Sequence, residues 1–242
     1  MQIITTAVTK GGAGKTSTSA ALLQAAAYNG KRCLAIDMDL QSNLSFFLSA
    51  DTNHSGSREL LNGQEAQEVL QTTPQGIDVI VGNPDLATEV VKPGSSYRLR
   101  EAIEPIKKEY DLIIIDTPPQ IGELTYNALM AATGLLIPLE ADNSSLQGLY
   151  NIIDITQQVQ KANPELQIIG TVITRYDARP KLNRFFLEAI QEAGAETGAP
   201  FLKAIRQSIA VKEAQAMQRS LFDYAPKCTA AQDYMDLLKM ID

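Results

Sequence analysis

Lys10-Gly11-Gly12-Ala13-Gly14-Lys15-Thr16-Ser17 follows the apolar run Ile3 to Val8 and opens a segment with helical patterning. Closely spaced glycines let several backbone N–H groups converge on one anion, and the following helix adds the positive end of its dipole. Lys15 has the reach for β- and γ-phosphates, and the Thr16 hydroxyl suits Mg2+. The stretch reads as a phosphate-binding loop, with Gly11, Gly12, Ala13, Gly14, Lys15, Thr16 and Ser17 around a nucleotide. The ordinary pattern G-x-x-x-x-G-K-[ST] would place glycine at position 9, where this chain has Thr9 followed by a second lysine, Lys10. A glycine-rich turn that binds nothing is the competing reading. Two acidic motifs farther along weigh against it.

The first is Asp111-Leu112-Ile113-Ile114-Ile115-Asp116, followed by Thr117-Pro118-Pro119. Four apolar residues between aspartates suggest a strand buried on both faces. The Asp116 carboxylate then emerges at the carboxyl edge of the sheet, where such folds bind ligands. There it suits the shell of a Mg2+ that bridges β- and γ-phosphates. The second motif, Asp37-Met38-Asp39-Leu40-Gln41-Ser42-Asn43, directly follows an apolar strand pattern. Alternation along an extended segment turns both carboxylates to one side, compatible with a shared metal-phosphate site.

The deviant loop K-G-G-x-G-K-[ST] resembles the signature of the ParA/MinD family of switch ATPases, and the second acidic motif is similar to the D-x-D-P-Q-x-N motif of its ParA-type members, with Leu40 where proline is usual. The resemblance implies that Lys10 reaches across a dimer interface to the partner's nucleotide. It also implies that Asp37 joins Thr16 and Asp116 around the metal, while Asp39 orients or activates the attacking water. Lys10, Lys15 and Asp39 are thus the expected catalytic groups. The segment Ala204 to Ala216, which includes Arg206, resembles the family's region near the adenine and the dimer edge, and Thr174 is a weaker candidate for an adenine contact. Phosphoryl transfer needs chiefly positioned charge, so this set suffices once two subunits face each other.

The chain has 242 residues, 45% apolar and 20% charged, which suits one large soluble α/β domain over 1–242. No apolar run approaches the roughly 18–20 residues that span a bilayer, and the opening strand pattern leaves no room for a signal peptide. A cytosolic protein is expected. Cys33 and Cys228 have neither paired spacing nor neighbouring cysteines, which argues against the family's iron–sulfur branches, and His54 reads as a solvated loop residue.

Net charge is −7, unlike a protein that coats nucleic acid over its whole surface. Residues 1–150 hold ten Lys/Arg against seventeen Asp/Glu, whereas 151–242 hold eleven of each, so a local basic face remains open in the second part. Arg175, Arg179, Lys181, Arg184, Lys203, Lys212 and Arg219 are the candidates. The resemblance implies that such residues of the ATP-bound dimer contact DNA phosphates without reading sequence; a solvated, salt-bridged surface is the alternative.

Strand and helix patterns alternate from end to end, the mark of a doubly wound, mostly parallel sheet flanked by helices. Strands are expected at Ile3–Val8, Arg32–Asp37, Ile77–Val81, Leu112–Asp116, Leu135–Leu139, Leu166–Ile173 and a short run Phe201–Ile205. Helices are expected at Thr16–Asn29, Tyr97–Glu109, Leu124–Ala132, Ser145–Ala162, Pro180–Ala193, Val211–Met217 and Ala230–Met240, with short pieces near Asn43–Leu48 and Arg58–Leu61. The stretch Asp78 to Ala87 is similar to one that follows a strand in partition ATPases.

The function this implies is an Mg2+-dependent ATPase that dimerises with ATP, binds DNA nonspecifically and partitions plasmid, mobile-element or chromosomal DNA with a ParB-like centromere-binding partner that stimulates slow hydrolysis on the nucleoid. Positioning of a protein cargo through an adaptor is an alternative within the family. A MinD-like membrane switch needs a basic amphipathic C-terminal helix, but Ala230 to Asp242 is acidic with one lysine, so no membrane partner is expected. A bacterial tyrosine kinase usually carries a C-terminal tyrosine cluster, which Tyr224 and Tyr234 alone do not make. No helix-turn-helix precedes the first strand, so operator-specific autorepression is not expected.

Overall fold

The computed structural model describes residues 1–86 and 95–242. Ala87, the last residue of the stretch from Asp78, lies outside them. Eight strands form one sheet: β1 (Gln2–Thr6), β2 (Cys33–Asp37), β3 (Leu70–Thr72), β4 (Asp78–Ile80), β5 (Leu112–Asp116), β6 (Gly134–Leu139), β7 (Gln167–Tyr176) and β8 (Phe201–Arg206). Their spatial order is β3-β4-β2-β5-β1-β6-β7-β8, and every pairing is parallel except the antiparallel β3–β4 edge. This is the α/β fold of P-loop NTPases. Near-unbroken apolar strands are what such a sheet requires, because helices cover both faces; Leu112 to Ile115 are all 2% exposed or less.

The helices in chain order are α1 (Lys15–Tyr28), α2 (Asn43–Phe47), α3 (Ser57–Leu61), α4 (Ala66–Val69), α5 (Arg98–Ile103), α6 (Glu123–Ala131), α7 (Asn143–Gln160), α8 (Lys181–Thr197), α9 (Ile209–Ala216), α10 (Leu221–Tyr224) and α11 (Thr229–Ile241). Alternate side chains of the strands divide the core in two. Ile3, Ile36, Ile113 and Ile137 pack with Leu129 of α6 and Ile152 of α7, while Ile4, Ala35, Ile114 and Leu136 pack with α1 and α11. The alanines of α1 suit a helix wedged between the sheet and α11, since small side chains permit close approach; Ala20, Ala21, Ala25 and Ala26 are buried.

The C-terminal helix α11 docks as expected, burying Ala230, Tyr234, Leu237, Leu238 and Ile241. No helix among the described residues is long and apolar enough to cross a membrane. Three expectations need adjustment. The helix expected over Tyr97–Glu109 is α-helical only over Arg98–Ile103, with single 3-10 turns at Ser95–Tyr97 and Lys107–Glu109. The polar region after Asp39 contains α4 and the edge strand β3, which hydrophobic patterning did not reveal. Helix α8 runs through Ala193 and Gly194 to Thr197 and ends at Gly198 in the left-handed conformation. Gly194 is not a helix stop: a Cβ there would lie 2.3 Å from the Ala199 carbonyl oxygen, so glycine permits the following loop to close against the helix.

The chain leaves β1 toward β2 on one side of the sheet and later fills the other side with β6, β7 and β8. The carboxyl end of β1 therefore marks the reversal of strand order, the place where open α/β sheets form a ligand crevice. The glycine-rich loop begins there.

Candidate functional site

Residues 7–14 connect β1 to α1, and Gly14 takes a left-handed φ of 88° immediately before the helix. Thr174, at the end of β7, props this loop from beneath: its Oγ1 lies 2.9 Å from the Ala13 carbonyl and 3.2 Å from that of Leu139. Space at Gly14 is also restricted, because a Cβ there would sit 2.9 Å from Thr174 Cγ2. No acidic residue occupies the first turn of α1. The positive end of the helix is thus left for an anion from outside.

Lys15 is 6% exposed and donates from Nζ to the Lys10 carbonyl at 3.3 Å. Burial lowers its pKa, and the charges of Asp116 and Asp39 pull in the opposite direction. Asp116 and Asp37 lie at adjacent strand ends. Asp37 and Asp116 are register partners across β2 and β5, and Thr6 is the partner of Asp116 across β1. Register therefore fixes both carboxylates at the same level of the sheet.

Asp116 accepts from Thr16 Oγ1 at 2.7 Å, Ser19 Oγ at 3.0 Å and Thr6 Oγ1 at 3.1 Å. Asp37 accepts from Ser45 N at 2.9 Å, Ser45 Oγ at 2.7 Å and Asp39 N at 3.1 Å. Both carboxylates are fully buried, and both hold protons more tightly than an ordinary aspartate. Desolvation is the leading cause in each; the Asp116 charge raises Asp37 further, while Thr16, Lys15, Ser19 and Thr6 partly restrain Asp116. Two neighbouring buried carboxylates with an adjoining threonine hydroxyl form an oxygen-only donor set, which suits a hard dication such as Mg2+. Asp39 turns its Oδ1 to Gln41 N at 3.0 Å and borders the cavity above the loop.

That cavity measures about 470 Å3. The loop Gly11 to Ser17 forms one side, Asn43 and Phe47 of α2 another, and Ile205 to Ile209 with Val211, Lys212 and Gln215 of α9 the far wall. Its volume is in the range of small-molecule sites. Thr174 and Arg206 both border it, but their polar groups already have partners within the protein. Arg206 clasps Asp233 with Nε and NH2 at 2.9 and 2.8 Å.

Lys10 is held within its own chain. Its Nζ contacts Glu140 at 3.2 Å and Ser145 Oγ at 3.4 Å and forms a closer ion pair with Asp142. Arg175, in a left-handed conformation, binds the Gly12 carbonyl and the other Glu140 oxygen. Glu140 thus joins the two cations beside the loop. Partial burial opposes ionisation of Asp142, but bonds from Lys10, Ser145 and Ser144 overcome it and hold the carboxyl down to about 2.

Several other basic candidates are also engaged. Arg179 pairs with Asp177 and Lys203 with Asp236, while Arg219 lies over the Tyr224 ring at 5.6 Å. Lys181, Arg184 and Lys212 are exposed, with no ion pair shown among the described residues. Lys10, Lys15, Thr16, Asp37, Asp39 and Asp116 converge, whereas the basic candidates spread over β7, β8, α8 and the α9 region. The sequence reading missed Ser19, Ser45, Glu140 and Asp142. Ser19 had a signal, because it follows Thr16 by three residues and shares its helix face; Glu140 and Asp142 had one in their place just after a strand's carboxyl end.

Residues 1–168 match the AAA domain family. Over 241 residues the chain is 34% identical to the sporulation initiation inhibitor protein Soj of Bacillus subtilis, covering 96% of this chain and 94% of that protein. It is 32% identical over 253 residues to the chromosome partitioning protein ParA of Caulobacter vibrioides, covering 100% and 94%. Its fold is similar to that of cobyrinic acid a,c-diamide synthase from Mycobacterium smegmatis with a bound ATP analogue and magnesium, at a TM-score of 0.85, 27% identity and coverage of 99% and 93%. Motifs, architecture and relatives agree: the chain belongs to the ParA/MinD family of ATPases and stands with its ParA partition proteins.

Proposed function

We propose that this chain, acting as one domain over 1–242, is an ATP-driven dimerisation switch that binds DNA without sequence preference in its ATP state. It partitions plasmid, mobile-element or chromosomal DNA with a centromere-binding partner that stimulates slow hydrolysis. Its place is the cytoplasm, on the nucleoid. The observation that carries this reading is the buried Asp37–Asp116 pair joined to Thr16 beneath a glycine loop.

The amides of Gly11 to Ser17 bind the phosphates, and Lys15 neutralises their β- and γ-oxygens. Thr16, Asp37 and Asp116 are the residues that would hold the metal. Mg2+, once bound, would supply charge neutralisation for the phosphates. Asp39, at the cavity edge, orients the attacking water and takes its proton. Lys10 leaves Glu140 and Asp142 to meet the partner's nucleotide, which ties hydrolysis to dimerisation and makes turnover a timing step.

Lys181, Arg184 and Lys212 are the exposed cations for phosphate contact; Arg175, Arg179, Lys203 and Arg219 join them by exchanging their present partners. Dimerisation doubles this set, and nonspecific affinity rises with the number of phosphates neutralised. Docking of the acidic α11 into the core favours this reading over a membrane switch. Binding of random duplex DNA at low salt, measured with ATP and with ADP on wild type and Asp39→Ala, tests it. Binding with ATP alone, together with a dimer, is expected. An ATP-bound dimer that ignores DNA overturns the nucleoid reading and leaves the ATPase assignment standing.

A further inference from the structure

Three segments that border or lead to the nucleotide cavity meet at one side chain that no nucleotide motif includes. Gln75 sits on the turn between β3 and β4, next to Gly76. Its Nε2 donates to the Phe47 carbonyl at the end of α2 at 2.9 Å and to the Gln218 carbonyl beyond α9 at 3.2 Å. Its Oε1 accepts from Gln24 Nε2 of α1 at 2.8 Å, and Gln24 Oε1 in turn accepts from Leu221 N at 3.1 Å. Gln75 Nε2 meets acceptors and its Oε1 meets a donor, so the chain of bonds fixes which way both amides face.

Backbone conformation gives a second, independent observation. Ser42, Ser49, Arg175 and Gln218 are the non-glycine residues with positive φ among those described, and all four lie on segments that border the cavity or connect to its walls. Strain of this kind persists only where its surroundings hold it. Ser49 and Gln218 are also tied to each other, Ser49 Oγ donating to the Gln218 carbonyl at 2.6 Å, and Gln75 Nε2 reaches the same Ser49 oxygen at 3.4 Å. The amide thus lies where two strained turns touch, one ending the α2 wall and the other ending the α9 wall.

We infer that Gln75 is a positioning residue for nucleotide binding, setting the distance of the α2 and α9 walls from each other and from the helix that carries the phosphate loop. The inference rests on the nucleotide reading of the cavity. Gln75 does not border the cavity, so its effect reaches the ligand through Phe47 and α9. The edge hairpin β3–β4 gains a role by this account: it delivers the amide. Because the walls grip nucleotide before and after hydrolysis alike, Gln75 governs affinity and leaves the chemical step nearly untouched.

The test uses the full chain, a fluorescent ADP analogue with Mg2+, thermal melts, and ATPase kinetics on four variants. Gln75→Ala is expected to weaken ADP binding about tenfold and raise KM for ATP in step, with kcat within about twofold, as loss of a shared, partly buried amide implies. Gln75→Glu keeps the acceptor for Gln24 but sets a carboxylate against two carbonyls, and is expected to bind more weakly still. Ser49→Gly relieves the left-handed backbone and removes the tie to Gln218, so affinity falls about threefold with little change in melting temperature. Gln71 is the control: it bonds Asp51 N and O from the same hairpin at 2.9 and 3.0 Å without reaching a cavity wall, so Gln71→Ala should leave affinity unchanged.

Wild-type affinity in both Gln75→Ala and Ser49→Gly overturns the inference. So does an equal loss in Gln71→Ala, which would mark a general loosening of the hairpin. If Gln75→Ala does not fold, Ser49→Gly decides alone. Failure of the wild type to bind nucleotide is a separate result that removes the reading of the cavity itself.

Discussion

Gly14→Ala isolates how closely the phosphate loop is fitted to the strand beneath it. Alanine at φ 88° carries left-handed strain of about 1–2 kcal/mol. The new methyl would also lie 2.9, 3.0 and 3.1 Å from Thr174 Cγ2, Oγ1 and Cβ, an overpacking that costs about 1–3 kcal/mol. The total is roughly 2–5 kcal/mol. Gly30 provides the comparison, because its φ is 80° but nothing lies within 4 Å of a built Cβ, so Gly30→Ala bears the strain alone. For a chain of this size these values correspond to melting shifts of about 10 °C at Gly14 and about 5 °C at Gly30. Thermal melts without nucleotide measure both. Adding Thr174→Ser to Gly14→Ala removes the nearest atom while keeping the hydroxyl for Ala13, and should recover several degrees, ~3 °C. Titration with ADP should show weakened binding only at Gly14. Equal melting shifts for the two single variants, or full nucleotide affinity in Gly14→Ala, would refute the reasoning.

Asp142→Asn preserves the acceptor for Ser145 N at the start of α7 but removes the charge that holds Lys10; these side chains are partly exposed, so about 1 kcal/mol is at stake and ATP-dependent dimerisation should tighten about fivefold by sedimentation. The metal-free protein should lose stability as pH rises from about 4 to about 7. Asp37 and Asp116 have raised pKa values, so the folded state binds more protons than the unfolded one; the stabilisation is complete below the ordinary carboxylate pKa of about 4 and disappears as pH passes the folded values. Melts with and without Mg2+ and ADP check this, since loading should remove most of the slope and Asp37→Asn should reduce it in the unloaded protein. Arg206→Ala should destabilise the fold by leaving the buried Asp233 carboxylate without its guanidinium, a loss that Asp233→Asn lessens in denaturant unfolding.

What could be read from sequence was whatever the chain expresses locally. The glycine loop, the strand ending at Asp116 and the Asp37–Asp39 turn each carry chemistry within a few consecutive residues, and the apolar strands follow from burial on both faces. What escaped was settled by distant pairing. Leu70-Gln71-Thr72 is too short and polar to announce a strand, and becomes one only because β4 offers it an antiparallel partner. Glu140 and Asp142 acquire meaning from Lys10, which lies 130 positions earlier for the Glu140 contact. Thr174 illustrates the same limit: its place beside the cavity was anticipated, but its hydroxyl faces Ala13 and Leu139 beneath the loop.

The two borders of the sheet constrain how copies of this molecule can meet. On one side β3 is three residues long and runs against its neighbour, offering little template for an added strand. On the other, β8 pairs with β7 through two register shifts, and its Lys203 is tied to Asp236 of α11. Short, irregular or charged borders discourage strand-to-strand association. Joining two sheets into one continuous ribbon is therefore disfavoured, which is compatible with the proposed encounter at the crevice beside the strand ends. An assembly built there depends on what fills the crevice, so it can be dissolved by changing the ligand, whereas a shared ribbon would persist through every turnover.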